Sequence, residues 1–316
     1  MRFVIFAAVI VLSYMTQTEK YIWLLNTIHQ SRSRGISLRE ISDKWRDYMS
    51  TEKPLDRATF NRWKAAVELQ FHVNIECNTK SGYRYHITNP EDINDDRVRK
   101  WLLDSVSTGT TLLSNLDIKD RILLEEIPSG RANLATIVSA MKHNHKVQIT
   151  YRGFGKIYST TFAIHPLCVK LYNNRWYVVG DSFHDGEWRR YTYGLDRIEE
   201  TNELKEGFAY PQDFDAKEYF HDYIGVSRWV DPVEEPIKFR VYNPHKYYIM
   251  SLPIHHSQRL IVDEGDYAEF EVKVAPTEEF FMEMLHGGSW IEVLSPKEVV
   301  DQMKGWVEEL YNIYNK

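Results

Sequence analysis

The sequence contains very little cysteine and no long apolar segment. Cys77 and Cys168 are the two cysteines among 316 residues, and they lie far apart without metal-ligand spacing. We therefore expect neither a disulfide framework nor a zinc site, and a reducing cytoplasm is the expected compartment. The apolar run Phe3–Leu12 spans ten residues. It is too short to cross a bilayer, so no stable membrane association is expected.

Three interpretations of the apolar extension at residues 1–14 stay open. The start codon could be assigned upstream of a true start at Met15, the run could be a short partner-binding segment, or it could be a signal or anchor. It lacks a clear small-x-small cleavage site. Thr16 or Thr18 can cap a helix directly after Met15, which favours the first interpretation.

Catalytic motifs are missing as well. The chain has no Gly-x-Ser-x-Gly, His-Glu-x-x-His or phosphate-loop pattern. His165, Asp181 and His184 invite a hydrolase or metal assignment but form no such motif. His143 and His145 stand at i and i+2, positions that do not share a helix face. We therefore expect no enzyme, no catalytic residue, no metal and no cofactor.

A general excess of positive charge is also absent, since the net charge is −6. The charge is nevertheless uneven. Residues 1–90 hold 13 Lys and Arg against 8 Asp and Glu, so the rest of the chain carries all of the negative excess. A basic first part on an acidic body is typical of one DNA-facing domain attached to others.

Residues 15–90 carry the pattern of three helices and a hairpin. Apolar residues recur at helical spacing over residues 19–31, and Ser37 with Glu40 forms a capping box for a second helix. A third helix is predicted at Arg57–Gln70, and the side chains expected to face inward are Phe60, Trp63, Ala66, Val67 and Leu69. Two short strands follow, Val73–Cys77 and Tyr83–Thr88. This order predicts a winged helix-turn-helix whose third helix enters the major groove.

The third helix and the hairpin offer the side chains that duplex recognition uses. Arginine can bond guanine with two donors, asparagine suits adenine, and threonine or lysine suits phosphates. The predicted DNA-binding residues are Arg57, Thr59, Asn61, Arg62, Lys64, Lys80 and Arg84. The alternative for this helix is a solvated amphipathic face.

The middle of the chain reads as helices and then a meander of strands. A polar, turn-rich stretch at residues 89–96 predicts a domain boundary. Helices are predicted over residues 97–145, broken at Gly109 and at residues 128–130. Strands are predicted at Thr160–Lys170, Arg175–Phe183 and Trp188–Tyr193, with Asn173-Asn174 and Asp185-Gly186 as tight turns. A short helix is predicted at Pro211–Tyr223.

These strands alternate cations with aromatic rings, which predicts a β-module that binds a nucleotide or a single nucleic-acid strand. The segment also resembles the WYL domain of bacterial transcription regulators. The resemblance lies in His165-Pro166, in Arg175-Trp176-Tyr177-Val178 and in Leu195-Asp196-Arg197-Ile198. It implies a five-stranded, Sm/SH3-like small β-barrel with a positively charged pocket for an anionic effector. The effector-binding positions that it implies are Tyr151, Arg152, His165, Tyr177, Arg189 and Arg190.

One position departs from the family pattern. Tyr191 stands five residues before Asp196, where the family has its usual arginine, and Arg190 comes one residue early. Because strand side chains alternate, Arg190 points to the other face unless a bulge intervenes. The same alternation places Trp176 and Tyr177 on opposite faces, and Trp176 is expected in the core. For Asp196 and Arg197 we expect a helix-start cap and a salt bridge.

The last part of the chain alternates strands and helices. Strands are predicted at Ile237–Tyr242, Arg259–Asp263, Tyr267–Ala275 and Ser289–Leu294, and the predicted helices are Pro244–Met250, Thr277–Leu285 capped by Thr277, and a terminal helix capped by Ser295 with Pro296 at its first position. The order β-α-β-β-α-β predicts a ferredoxin-like fold. WYL regulators carry an extension of this kind, the WCX domain.

The sequence thus predicts a multidomain α+β chain. We expect a winged helix-turn-helix at residues 15–90, a helical linker at 91–145, a WYL effector-sensing domain at 146–228 and a ferredoxin-like WCX-type domain at 229–316. The expected function is a homodimeric transcription regulator that binds duplex DNA and an anionic effector, either single-stranded nucleic acid or a nucleotide. The alternatives are an accessory protein of a defence or DNA-repair system and a membrane-tethered sensor.

Overall fold

Nine α-helices and three antiparallel sheets make up the described part of this α+β chain. The computed structural model describes residues 16–49, 51–89, 97–113, 116–125 and 130–316, so Phe3–Leu12 and residues 128–129 lie outside it. Within those ranges, no helix combines the length and apolar character that a membrane span requires. The chain divides into two units, Met1–Leu124 and Glu125–Lys316.

The first unit contains four helices and a small sheet. The helices are α1 (Gln17–His29), α2 (Leu38–Met49), α3 (Arg57–Phe71) and α4 (Arg97–Leu113). The strands are β1 (Ile36–Ser37), β2 (Ile75–Asn78) and β3 (Arg84–Ile87), in the order β1-β3-β2. Thr16 and Glu19 form a reciprocal capping box at α1. Ser37 and Glu40 form the predicted box at α2.

A single core joins these helices to the sheet. Phe60, Trp63 and Val67 of α3 are buried in it, as predicted. The prediction for Leu69 was wrong, because this side chain is 76% exposed. Leu69 lies two residues beyond Val67, which is more than half a turn around the helix from the buried stripe.

Helix α4 runs through Gly109, so the break predicted there was wrong. A glycine inside a helix costs only about 1 kcal/mol relative to alanine, and packing elsewhere on the helix offsets that cost. Leu103 of α4 is buried in the core, and its carbonyl accepts a hydrogen bond from Asn26 Nδ2 at 3.3 Å.

The second unit begins with α5 (Arg131–His143) and a five-stranded sheet. The strands are β4 (His145–Tyr151), β5 (Thr160–Tyr172), β6 (Arg175–His184), β7 (Glu187–Gly194) and β8 (Ile198–Gly207), in the order β7-β6-β5-β4-β8. The three strands predicted here are confirmed. Asn173, Asn174, Asp185 and Gly186 all have positive φ, as two-residue hairpin turns that match the strand twist require.

The two faces of this sheet are distinct. One face packs against Ile137 and Ala140 of α5 and forms a core with Val147, Ile149, Ile164, Val178 and Tyr193. Trp176 packs against the same core, as predicted.

Helix α5 ends at His143, so His143 and His145 lie on different elements. The prediction from helical spacing therefore does not apply to them.

The last part holds a four-stranded sheet and four helices. The elements are α6 (Ala216–Tyr219), β9 (Ile237–Tyr242), α7 (Lys246–Ser251), β10 (Arg259–Glu264), β11 (Tyr267–Val272), α8 (Glu278–His286), β12 (Ile291–Ser295) and α9 (Lys297–Tyr314). The strand order is β10-β11-β9-β12, every pair antiparallel. Phe239, Phe270 and Phe280 are fully buried between sheet and helices.

One predicted cap was wrong in this part, and a second holds its position without a capping bond. Ser295 stays in β12 opposite Lys238, so Pro296 takes the N-cap position of α9. Thr277 stands at the N-cap of α8 but makes no capping bond with its side chain. The helix predicted over Pro211–Tyr223 is reduced to the four residues of α6.

Gly130 offers a test of this packing. Its φ is +65°, and a Cβ there would lie 2.3 Å from the backbone carbon of Leu195. Gly130→Ala should lower the free energy of unfolding by about 2–5 kcal/mol, because overlap adds to the cost of the left-handed backbone. Gly155 has φ +73° in open space, so Gly155→Ala should cost only about 1–2 kcal/mol. Equal losses in denaturant unfolding would contradict the described contact.

Candidate nucleic-acid and anion sites

The outer face of α3 presents unpaired polar and cationic side chains. Arg57, Asn61 and Arg62 are exposed, and Arg57 and Asn61 lie one turn apart on the same face. Within the described ranges, no ion pair joins Arg57 or Arg62 to a carboxylate. Asp56 caps the helix and accepts from the Thr59 amide at 2.9 Å and its hydroxyl at 2.7 Å. These bonds lower the pKa of Asp56.

Two of the predicted DNA-binding cations form ion pairs within the first unit. Lys64 pairs with Glu68 at 2.9 Å. Arg84 donates to the Glu40 carboxylate at 2.9 and 3.1 Å and to the Gly35 carbonyl at 3.0 Å. Arg84 therefore fastens the hairpin to the start of α2. Lys80 is exposed at the turn between β2 and β3.

A cavity of about 340 Å³ opens where β4 ends. It is lined by Arg152, Gly153, Phe154, Gly155, Lys156, Asp196, Arg197 and Glu199. The Arg152 amide donates to the Arg197 carbonyl at 3.0 Å, and the Arg152 Nε lies 3.1 Å from Glu199 Oε1. We call this set the β4-end cavity.

Arg197 is the most constrained cation of the β4-end cavity. Its guanidinium lies over the rings of Tyr151 and Phe154, at 5.4 and 4.6 Å from their centroids. The Arg197 Nε is buried without a hydrogen-bond partner among the described residues. A buried donor without a partner costs free energy unless a ligand or water satisfies it. Sequence reasoning gave Arg197 only a structural role.

Asp196 beside it makes the predicted salt bridge, since the Arg175 Nη1 lies 2.8 Å from the Asp196 Oδ2. The predicted helix cap was wrong, because Gly194 occupies the N-cap position of the short turn there. The Asp196 Oδ1 is buried and has no hydrogen-bond partner in the described ranges. A Cβ on Gly194 would lie 2.7 Å from that oxygen, so a side chain at position 194 would displace Asp196 or Arg197.

Arg190 lies on the other face of the sheet, away from Tyr191. The register between β6 and β7 runs without a shift from Tyr177–Gly194 to His184–Glu187, so no bulge rotates the arginine. Arg190 bonds both carboxylate oxygens of Asp181, at 2.7 and 3.0 Å. Its guanidinium also lies over the rings of Phe214 and Tyr219. Arg190 is therefore already paired and covered.

His165 shares that face and is enclosed by rings. Its imidazole stacks between Trp188 and Phe208, with centroids 4.3 and 4.7 Å away. Burial, followed by the charge of Lys146, lowers the pKa of His165, so the ring is neutral near pH 7. Arg189 projects from the opposite face of β7, exposed and paired with Glu187 at 3.0 Å.

Tyr177 sits opposite Lys170 and Gly194 in the register and is half-buried. Burial raises the pKa of its hydroxyl, and the charge of Asp196 acts in the same direction. The structure thus places Arg152 in the β4-end cavity, with the Tyr151 ring under Arg197 beside it, and it places His165 and Arg190 together elsewhere. Phe154 and Lys156 of the cavity were not among the predicted effector-binding residues. The run Arg152-Gly-Phe-Gly-Lys156, with two cations and a ring in a glycine-rich turn, could have indicated them.

Lys170 fixes the segment that follows β8. Its ammonium donates to the Gly225 carbonyl and lies 3.9 Å from the Phe220 ring centroid. Burial lowers the pKa of Lys170 to about 8. Glu279 of α8 accepts from the amides of Val226 and Ser227 at 3.2 and 3.0 Å. The same segment is therefore held from the sheet on one side and from α8 on the other.

Comparison with known proteins identifies two domains. The model of the WYL domain matches residues 132–202, and the model of the WCX domain matches residues 234–311. The chain therefore contains a WYL domain followed by a WCX domain. The resemblance drawn from the sequence is confirmed. A search of curated proteins gave no match.

Two solved structures are similar at low identity. Proteasome accessory factor B/C (PafBC) of Arthrobacter aurescens aligns at 18% identity with a TM-score of 0.34, covering 90% of this chain and 46% of that one. The chain thus spans about half the length of the PafBC structure. A structure described as a CRISPR Cas-related protein aligns at 12% identity with a TM-score of 0.39, covering 98% of this chain and 91% of that one.

Proposed function

We propose that this protein is a cytoplasmic, homodimeric transcription regulator that binds duplex DNA and responds to an anionic effector at its WYL domain. The single observation that carries the DNA-binding role is the exposed face of α3, where Arg57, Asn61 and Arg62 stand without intramolecular ion pairs among the described residues. We propose no catalytic role.

The order of elements in the first unit supports a winged helix-turn-helix. Helices α2 and α3 follow one another across a short connection, and β1, β3 and β2 form a small sheet behind them. In such domains the second helix of the pair enters the major groove, and the hairpin lies on the backbone. Arg57, Asn61 and Arg62 then face base edges or phosphates, and Lys80 at the hairpin turn faces a phosphate.

The order of strands supports the two finer assignments in the second unit. Numbered within their own domain, the WYL strands follow the order 5-1-2-3-4, which fits the Sm-like barrel that the resemblance implies. The WCX strands follow the order 4-1-3-2 with two intervening helices, which fits a ferredoxin-like domain. One winged helix buries too little surface for tight specific binding to DNA, so we propose a homodimer. We assign dimerisation to the WCX domain.

We place the effector site at the β4-end cavity. Arg152, Lys156 and Arg197 supply three cations there against the carboxylates of Asp196 and Glu199. Phe154 supplies a ring at the cavity, and the Tyr151 ring lies beside it under the Arg197 guanidinium. Cations beside stacking surfaces suit a nucleotide or a short single strand. The partnerless Nε of Arg197 offers a donor to a phosphate oxygen.

The DNA role can be tested with the double variant Arg57→Ala/Arg62→Ala. It should bind a random duplex more weakly. The slope of log K against log salt should become less negative by roughly 1–2, because fewer counterions are released when fewer phosphates are contacted. Fluorescence anisotropy of a labelled duplex across a salt series measures both quantities.

The matched control is Lys119→Ala/Arg121→Ala, which removes the same charge from exposed positions of the same unit. Its affinity and slope should stay near wild type. Equal losses in both double variants would contradict a specific role for α3. Binding that shows no preference for any duplex sequence would instead support the alternative of an accessory nucleic-acid-binding protein without promoter-specific regulation.

The placement of the effector site can be tested by comparing single substitutions of Arg152 and Arg190. Arg152→Ala should weaken binding of a short labelled single-stranded oligonucleotide by about tenfold, because it removes one charged contact. Arg190→Ala should leave that affinity unchanged. It should lower the free energy of unfolding by about 1–3 kcal/mol, because Asp181 then loses its partner.

Arg189→Ala is the charge-matched control, since Arg189 is exposed and paired only with Glu187 among the described carboxylates. It should change neither quantity. Loss of oligonucleotide binding in Arg190→Ala, at unchanged stability, would move the effector site to the opposite face of the sheet and overturn the assignment.

A further inference from the structure

Two histidines meet where α5 turns into β4. Helix α5 ends at His143, and Asn144 follows in the left-handed conformation with φ 53° and ψ 39°. Strand β4 then begins at His145. This single reversed residue brings the two imidazole rings to one side of the chain, with centroids 5.4 Å apart.

Glu203 reaches the same place from β8. That strand runs antiparallel beside β4, with Glu203 opposite Val147 and a register shift next to His145. The Glu203 Oε1 lies 2.8 Å from the His145 Nδ1 and 3.6 Å from the His143 Nδ1. One ligand atom from each of the three residues lies within 4.8 Å of the other two.

These distances suit a single transition-metal ion. Bonds of about 2.0–2.2 Å in tetrahedral geometry place neighbouring ligand atoms roughly 3.3–3.5 Å apart, so small rotations of the side chains bring all three to one ion. Two imidazoles and one carboxylate are the donor set that zinc takes where it keeps one position for water.

The surroundings of Glu203 hold its carboxylate in place. Ser139 lies one turn before His143 on α5, and its hydroxyl donates to Glu203, which together with the bond from His145 lowers the pKa of that carboxyl. A second partner of this kind orients a ligating carboxylate. The side chains are 52%, 31% and 24% exposed for His143, His145 and Glu203, so an ion can enter without a change of fold.

We propose that His143, His145 and Glu203 form a zinc-binding site in the WYL domain, with water at the fourth position. Coordination links the end of α5 to β4 and β8, so zinc raises the thermal stability of the chain as well as binding to it.

The test is titration of the tag-free full chain with Zn²⁺ alone, measured by competition with a chromogenic chelator and by thermal unfolding. We expect binding of one equivalent and a rise in Tm with zinc concentration. His143→Gln, His145→Gln and Glu203→Gln should each weaken binding by at least about tenfold, since each removes one of three ligands. Metal-free unfolding of each variant verifies that it folds.

His286→Gln is the matched control, because His286 is also exposed and ends a helix, α8. It should bind zinc like wild type. His256→Gln distinguishes a rival location, since the Nε2 atoms of His256 and His221 lie 3.2 Å apart. Zinc binding that survives the three ligand substitutions, that is lost in His256→Gln, or that is absent from the wild-type chain would overturn the proposal.

Discussion

The unbroken register between β6 and β7 determines which side chains of the central sheet can act together. Side chains alternate between faces along each strand, so this pairing fixes the face of every residue in Tyr177–His184 and Glu187–Gly194. Tyr193 and Trp176 join the core against α5. Arg190 and Asp181 form their ion pair on the other side. A bulge of one residue would exchange these roles, and none interrupts this pair of strands.

The same constraint divides the cationic residues of the WYL domain into two groups. On one side Arg190 is neutralised by Asp181 and His165 is enclosed between Trp188 and Phe208. These contacts hold residues 208–219 against the sheet. At the end of β4, by contrast, Arg152, Lys156 and Arg197 surround a cavity. Arg152 is paired with Glu199 there, as Arg190 is with Asp181. The difference lies in Arg197, whose Nε has no hydrogen-bond partner among the described residues and can donate to an anion.

Local signals in the sequence predicted most of the elements. The capping residues Thr16 and Ser37 and the turn at Asn173-Asn174 act over three or four residues, so their outcome depends little on the rest of the chain. The β4-end cavity depends instead on a hydrogen bond between Arg152 and Arg197, 45 positions apart. Such long-range pairing has no local pattern, which is why the predicted effector residues fell into two separate places.

The junction of His143 and His145 shows the same limit at a smaller scale. Helical spacing predicts that these two residues point in different directions. The prediction does not hold because the helix ends at His143 and Asn144 adopts a left-handed conformation. Asparagine tolerates that conformation better than most residues, yet its presence alone does not decide where a helix stops. The third member, Glu203, is brought in by the pairing of β4 with β8.

Photo-crosslinking can locate the anion site on the WYL domain. A single-stranded oligonucleotide carrying 4-thiothymidine would be irradiated with the full-length protein, and the modified peptides mapped by mass spectrometry. Crosslinks are expected within residues 151–156 and 196–199, around the β4-end cavity. Crosslinks confined to His165 and residues 188–190 would contradict this location.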